Sequence, residues 1–153
     1  MHTAYLGIGA NLGDREAAIA KAIEMLGERA GAVEAQSSLH RSAPWGYESA
    51  NMFVNAVVRI STGLTPFGLL DTVQGIERAL GKRQAHATQR AGGTQHGSSP
   101  PPPVYHDRPI DIDVLLYDDI AIDTPRLTIP HPLMRQRPFV MEPLREVLPA
   151  AVQ

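Results

Sequence analysis

The chain contains no cysteine, so it forms no disulfide and offers neither a thiolate nucleophile nor a cysteine-based zinc site. No apolar run approaches the ~20 residues of a membrane span. Neither sign of charge dominates. Fourteen Lys and Arg against sixteen Asp and Glu leave a net charge of −2, which excludes a generic basic nucleic-acid surface and a polybasic membrane anchor. The opening Met1-His2-Thr3-Ala4-Tyr5 lacks a basic stretch and a long apolar one, so the expectation is no secretory signal and a soluble cytoplasmic location. The common nucleotide signatures are missing too. Gly7-x-Gly9-x-x-x-Gly13 misses the dinucleotide fingerprint by one position, and there is no P-loop. Neither a Ser-His-Asp order nor an H-E-x-x-H helix occurs. What is present is enough for one domain: 153 residues, 43% of them hydrophobic, in a size class that buries roughly 70% of its unfolded surface.

Ala4 to Ala10 reads as a strand carrying Gly7 and Gly9, and glycine inside a strand marks close approach of another backbone or a ligand. A helix is expected from about Asp14 to Ala30, with Ile19, Ile23 and Leu26 on one stripe. Asp14 and Glu16 suit its positive end, and Gly31 its close. Val33 to Arg41 reads as one weakly patterned strand, and Met52 to Thr62 as a clear one. Thr65-Pro66 starts a second helix, with Leu69, Val73, Ile76 and Leu80 as its stripe and Gly81 as its stop. Ile110 to Tyr117 is a strong strand. Ile122 to Ile129 supplies one or two short edges, and a short helix runs through Met141 to Leu148. The order strand–helix–strand–strand–helix–strand predicts an α+β fold, a ferredoxin-like sandwich with a mainly antiparallel sheet and helices packed on it. Residues 84–103 hold no large apolar side chain and end in four prolines. They read as a long flexible insertion within a single domain spanning 1–153.

The sharpest constellation is Asp107-Arg108-Pro109-Ile110-Asp111-Ile112-Asp113-Val114-Leu115-Leu116. Alternation puts Asp111 and Asp113 on one strand face and Ile110, Ile112 and Val114 on the other. The plain reading is a solvated face. Two observations favour a metal pair instead: aspartate is depleted in strands, and two on one face repel unless a cation joins them. Oxygen-only donors suit Mg²⁺, which keeps water and binds substrate phosphates. Lys82, Arg83, Arg90, Arg108, Arg126, Arg135 and Arg137 could face phosphate, although each alone reads as solvated surface charge. Arg108, at the mouth of the aspartate strand, is the best placed. His131 is restrained between two prolines, as a loop histidine or a site residue. Trp45 and Phe53 flank Asn55, and an amide between aromatics can read a flat heterocycle. The alternative is core packing for Phe53 and a ladder role for Asn55, and both stay open.

Taken in order, several segments resemble the 6-hydroxymethyl-7,8-dihydropterin pyrophosphokinase family of folate biosynthesis. They are Tyr5-Leu6-Gly7-Ile8-Gly9-Ala10-Asn11-Leu12-Gly13-Asp14, Arg41-Ser42-Ala43-Pro44-Trp45-Gly46, Phe53-Val54-Asn55-Ala56, Ile76-Glu77 and the aspartate motif. Arg126-Leu127-Thr128-Ile129-Pro130-His131-Pro132 and Arg137-Pro138-Phe139 continue the series. The resemblance implies transfer of the β,γ-diphosphate of ATP to the pterin hydroxymethyl group, with release of AMP. It implies two Mg²⁺ ions on Asp111 and Asp113, with ATP as co-substrate. Ser42, Ala43, Trp45, Phe53, Asn55 and Phe139 would meet the pterin. Gln74, Glu77, Arg108, Arg126, Thr128, His131 and Arg137 would line the ATP site, with Lys82 and Arg108 acting on the transferring group. A monomer acting on small molecules, without nucleic acid or membrane, is expected.

The chain departs from the family around its insertion. Gly81-Lys82-Arg83-Gln84 stands for the usual Gly-Arg-x-Arg, and Val104-Tyr105-His106-Asp107-Arg108 for Arg-Trp-Gly-Pro-Arg. Two other readings therefore stand beside the pyrophosphokinase: a nucleotidyltransferase using the Asp-x-Asp pair, and a pterin- and ATP-binding module without turnover.

Overall fold

β1 (His2–Ala10) leads into α1 (Arg15–Arg29) through Asp14, whose carboxylate accepts the Ala17 N–H at 3.1 Å as an N-cap. β2 (Ala32–Gln36), β3 (His40–Ser42) and β4 (Phe53–Thr62) follow. α2 (Pro66–Glu77) begins with Thr65 Oγ1 accepting from the Gly68 N–H at 3.0 Å and with proline in its first turn. Then come β5 (Asp111–Tyr117), a small hairpin of β6 (Ile122–Asp123) and β7 (Thr128–Ile129), a 3₁₀ turn at Met134–Gln136, and α3 (Pro138–Val147). The computed structural model describes residues 1–42, 52–82 and 109–149. The insertion expected at 84–103 lies outside them.

The main sheet has the order β2-β4-β1-β5, every pair antiparallel, with β3 continuing along β4 where β2 ends. This is the ferredoxin-like α+β arrangement that the element order implies. Alternation divides the sheet's side chains into two cores. Leu6, Ile8, Val54, Val58, Ile60 and Ile112 meet Ile19 and Leu26 of α1 and Leu69, Val73 and Ile76 of α2. On the other face Tyr5, Val57 and Leu115 meet Met134 and, from α3, Val140, Leu144 and Val147. Each such buried side chain contributes about 1.5–3 kcal/mol. The site occupies the part of this second face that α3 leaves open.

Four local expectations change. The strand expected over Val33–Arg41 is two strands, because the register on β4 slips by one residue between Gln36, opposite Val58, and His40, opposite Asn55. Gly81 does not stop α2: the helix passes at Arg78 into a π-helical turn that runs through Gly81 to Lys82. A Cβ at Gly81 would lie 3.2 Å from Ile110 Cγ2, so its missing side chain serves close packing. Ile122–Ile129 forms its own two-stranded sheet, with no edge on the main one. The last helix starts at Pro138, ahead of Met141, since proline is well suited to a first helical turn.

Candidate active site

Three strands place the central residues by register. Gly9 of β1 pairs with Asp111 of β5 on one side and with Asn55 of β4 on the other, and Gly7 pairs with Asp113 and Val57. Residues paired across strands share a face. Asp111 and Asp113 therefore stand side by side along β5, two residues and about 6.6 Å apart along the strand. The two glycines separate them from Asn55. A Cβ on Gly9 would come within 2.8 Å of Asn55 Oδ1 and 3.6 Å of Phe53 Cδ1. The bare backbone at Gly9 is what lets the buried Asn55 amide lie across the strand. Asn55 Nδ2 donates to Ser42 Oγ at 2.9 Å, which fixes the amide's orientation.

Above this floor is a cavity of about 350 Å³, walled by Phe53, Leu115, His131, Arg137 and Phe139. That volume suits one small flat heterocycle, and the lining is largely apolar with a few convergent polar groups, as ligand pockets are. The loop before α3 is pinned to β5 by the His131 N–H, which donates to the Leu115 carbonyl at 3.0 Å. The Ile129–Pro130 peptide of this loop is cis. His131 Nε2 lies 4.0 Å from Asp113 Oδ2. Burial pushes the His131 pKa below its usual 6.5, the nearby Arg137 cation adds to this, and Asp111 opposes it. Burial thus favours the neutral ring. Arg137, at the N-cap of α3, is buried, and its guanidinium carbon sits 5.8 Å from the Phe139 ring centre, in cation–π range.

Of the sequence-stated candidates, Phe53, Asn55, Asp111, Asp113, His131, Arg137 and Phe139 converge on this cavity, with Ser42 bonded to Asn55 behind it. Others lie on the neighbouring α2 side. Glu77 Oε2 accepts the Ile112 N–H at 2.8 Å. That N–H points outward from the edge of the sheet, between the two aspartates, so α2 anchors β5 at the level of the carboxylates. Gln74 lies one turn earlier on α2, half-buried. Arg126 pairs with Asp71 of α2 and lies 5.9 Å from the Phe67 ring centre. Thr128 sits in β7 opposite Asp123. Ala43, Trp45, Arg108 and the Lys82 side chain fall outside the described residues. Leu115 and Val57 of the cavity wall carried no motif. The period-2 pattern that puts Asp111 and Asp113 on one face does, however, put Leu115 on it as well.

The donor chemistry of the carboxylate pair can be tested against a metal. Among the described residues no three His, Cys, Asp or Glu side chains cluster as a self-sufficient cage. Two partly exposed carboxylates on one face fit an ion that takes its remaining ligands from water and phosphate oxygens, which is the habit of Mg²⁺.

The family model described as 7,8-dihydro-6-hydroxymethylpterin-pyrophosphokinase matches residues 5–149. A 2-amino-4-hydroxy-6-hydroxymethyldihydropteridine pyrophosphokinase of Porphyromonas gingivalis is 43% identical over 150 residues, 97% of this chain and 92% of that one. Its namesake in Methylorubrum extorquens is 40% identical over 153 residues, 99% of this chain and 86% of that one. A folic acid synthesis protein of Dictyostelium discoideum is 34% identical over 95% of this chain, although the match covers only 19% of that protein. The motifs on the cavity floor, the fold and this coverage lead to one conclusion: the chain belongs to the 7,8-dihydro-6-hydroxymethylpterin-pyrophosphokinase family.

Proposed function

We propose that the chain transfers the terminal diphosphate of ATP to the hydroxymethyl group of 6-hydroxymethyl-7,8-dihydropterin, a step of folate biosynthesis. The hydroxyl oxygen bonds to the β-phosphorus, the bond from that phosphorus to the α,β-bridging oxygen breaks, AMP departs with that oxygen, and the hydroxyl proton is lost. The observation that carries the reading is the cross-strand row Asp111–Gly9–Asn55 on one cavity floor. It sets a heterocycle-reading amide across one intervening strand from a carboxylate pair.

Asn55, oriented by Ser42, reads the polar edge of the pterin, and Phe53 and Phe139 enclose its ring. Ala43 and Trp45 join them on the strength of the family motif. Asp111 and Asp113 would hold two Mg²⁺ ions, which would supply positive charge against the triphosphate oxygens. Phosphoryl transfer asks little covalent chemistry of a protein, so positioning and fixed charge do most of the work. Arg137 supplies a buried positive charge beside the cavity, and Lys82 and Arg108 add theirs on the family's pattern. Neutral His131 offers a hydrogen bond beside Asp113 without adding charge. Glu77 holds the β5 backbone from behind, and Gln74, Arg126 and Thr128 extend the nucleotide side. The working unit is a monomer, one domain spanning the whole chain, placed in the cytoplasm. No helix among the described residues is long and apolar enough to cross a membrane.

Incubation with MgATP and the hydroxymethyl-dihydropterin tests the reading, with products identified by mass. AMP and the pterin diphosphate are expected in equal amounts. Release of inorganic pyrophosphate would identify a nucleotidyltransferase, and tight binding of both substrates without products would identify a binding module. Either outcome overturns the proposal.

A further inference from the structure

The slip that separates β2 from β3 decides which way β3 faces. Ser37 still follows the ladder: its N–H donates to the Val57 carbonyl and its Oγ accepts the Val57 N–H, both at 2.9 Å. Gln36 lies opposite Val58 and His40 opposite Asn55. Three residues, 37–39, thus span a stretch of β4 that an unbroken ladder would cover with two. This is a β-bulge, and one extra residue turns every later side chain to the other face. Without it His40 and Ser42 would point toward α1. With it they point toward α3 and the cavity, and Ser42 reaches Asn55.

The bulge takes the Ser38 N–H out of the ladder, and Glu146, near the end of α3, receives it. Glu146 Oε1 accepts the Ser38 N–H at 2.8 Å, both carboxylate oxygens lie 3.0 Å from Ser38 Oγ, and Oε2 pairs with His40 Nε2. These bonds hold the Glu146 carboxyl below its usual range. β3 has only three residue pairs on β4, too few to keep an edge strand in register alone. On the opposite face Arg41 pairs with Glu16 of α1 at 2.6 Å, but both groups are exposed and solvent screens the pair.

Building on the pyrophosphokinase reading, we propose that Glu146 is a positioning residue for the pterin. By holding the Ser38–Leu39 bulge against α3 it fixes the facing of β3, and through Ser42 the orientation of the Asn55 amide. It touches neither substrate. Its effect falls on the pterin side of the cavity, since the nucleotide-side residues of α2, β5 and β7 make no bond to it.

The test compares Glu146→Ala, Glu146→Gln and the control Glu16→Gln in the full chain. Glu146→Ala should raise the pterin KM about tenfold, the factor that one charge-assisted hydrogen bond can supply, with kcat and the ATP KM within about twofold. Amide exchange at residues 40–42 should quicken at least as much, while that of β5 stays unchanged. Glu146→Gln keeps an oxygen for the Ser38 N–H and should restore most of both effects. Glu16→Gln should alter neither KM. If exchange at 40–42 is unaltered in Glu146→Ala, or if both KM values and the melting temperature move together, the inference is wrong. If the unaltered chain makes no pterin diphosphate, the functional reading falls. The exchange data then decide the positioning claim alone, unaltered protection refuting it.

Discussion

Replacing Gly9 by alanine probes the cavity floor with a single methyl group. The new Cβ would stand 2.8 Å from Asn55 Oδ1, closer than ordinary van der Waals contact, so the amide must move. Asn55 has little room to do so, being 7% exposed and bonded through Nδ2 to Ser42 at 2.9 Å. Retreat from the methyl group rotates the amide and strains or breaks that bond. Overpacking a tight site costs about 1–3 kcal/mol, and losing the hydrogen bond about 0.5–1.5 kcal/mol. Alanine's better strand propensity returns a fraction of this. The net destabilisation expected is about 1–4 kcal/mol, or a melting temperature lower by about 2–16 °C for a chain of this size. The pterin KM should rise about tenfold, since 1.4 kcal/mol is a factor of ten, while the ATP KM holds within about twofold. Steady-state kinetics with each substrate varied, alongside a thermal melt, reads both. Gly7→Ala is the matched control. The nearest atoms its Cβ would meet are those of the Leu115 side chain, none nearer than 3.4 Å, so its melting temperature should stay within about 2 °C of the parent. A Gly9→Ala protein with an unchanged pterin KM, or one in which the ATP KM alone rises, would refute the placement of the pterin against Asn55.

Asp111→Asn and Asp113→Asn should each cut turnover by about 10²–10³ and leave the melting temperature equal or higher, because two like charges no longer face each other. Near-parental rates would remove the pair from the reaction. Chelation of divalent cations should abolish AMP formation and excess Mg²⁺ should restore it; persistent turnover in chelator counts against a metal role. Glu77→Ala leaves the Ile112 N–H on the sheet edge without its carboxylate, which should cost about 1–2 kcal/mol, seen as a lower midpoint in urea with the slope unchanged. Acid should weaken the fold through Glu146 and Asp118. Hydrogen bonds from the Ser38 N–H and the Thr3 N–H, with His40 and His2 assisting, lower their folded pKa values below the ordinary 4.5 and 3.8. The stability they add is complete above the ordinary carboxylate range and is lost as pH falls through the lowered folded values. Melts of the parent and Glu146→Gln from pH 6 downward should therefore converge in acid, and parallel curves would contradict the assignment.

The elements that depend on near neighbours were legible in the sequence. Asp14 and Thr65 cap the helices that their side-chain chemistry foretells, and the alternation of Asp111-Ile112-Asp113 puts the carboxylates on one face before any fold is known. Gly9 announced a close approach without saying to what. The partner, Asn55, lies 46 positions along the chain, and only the β1–β4 register supplies it. The split of β2 from β3 was not legible, because a one-residue bulge leaves no mark in a weak hydrophobic pattern. It is set by what Ser38 and His40 find on α3. Glu77 as the anchor of the Ile112 N–H and Arg126 as the partner of Asp71 depend likewise on helix docking. The sequence by itself determined where the main helices and strands lie and which residue types carry the chemistry, since caps and periodicity are local physics. Only the tertiary structure decided how those residues meet, because strand register and helix docking answer to contacts between residues far apart in the chain.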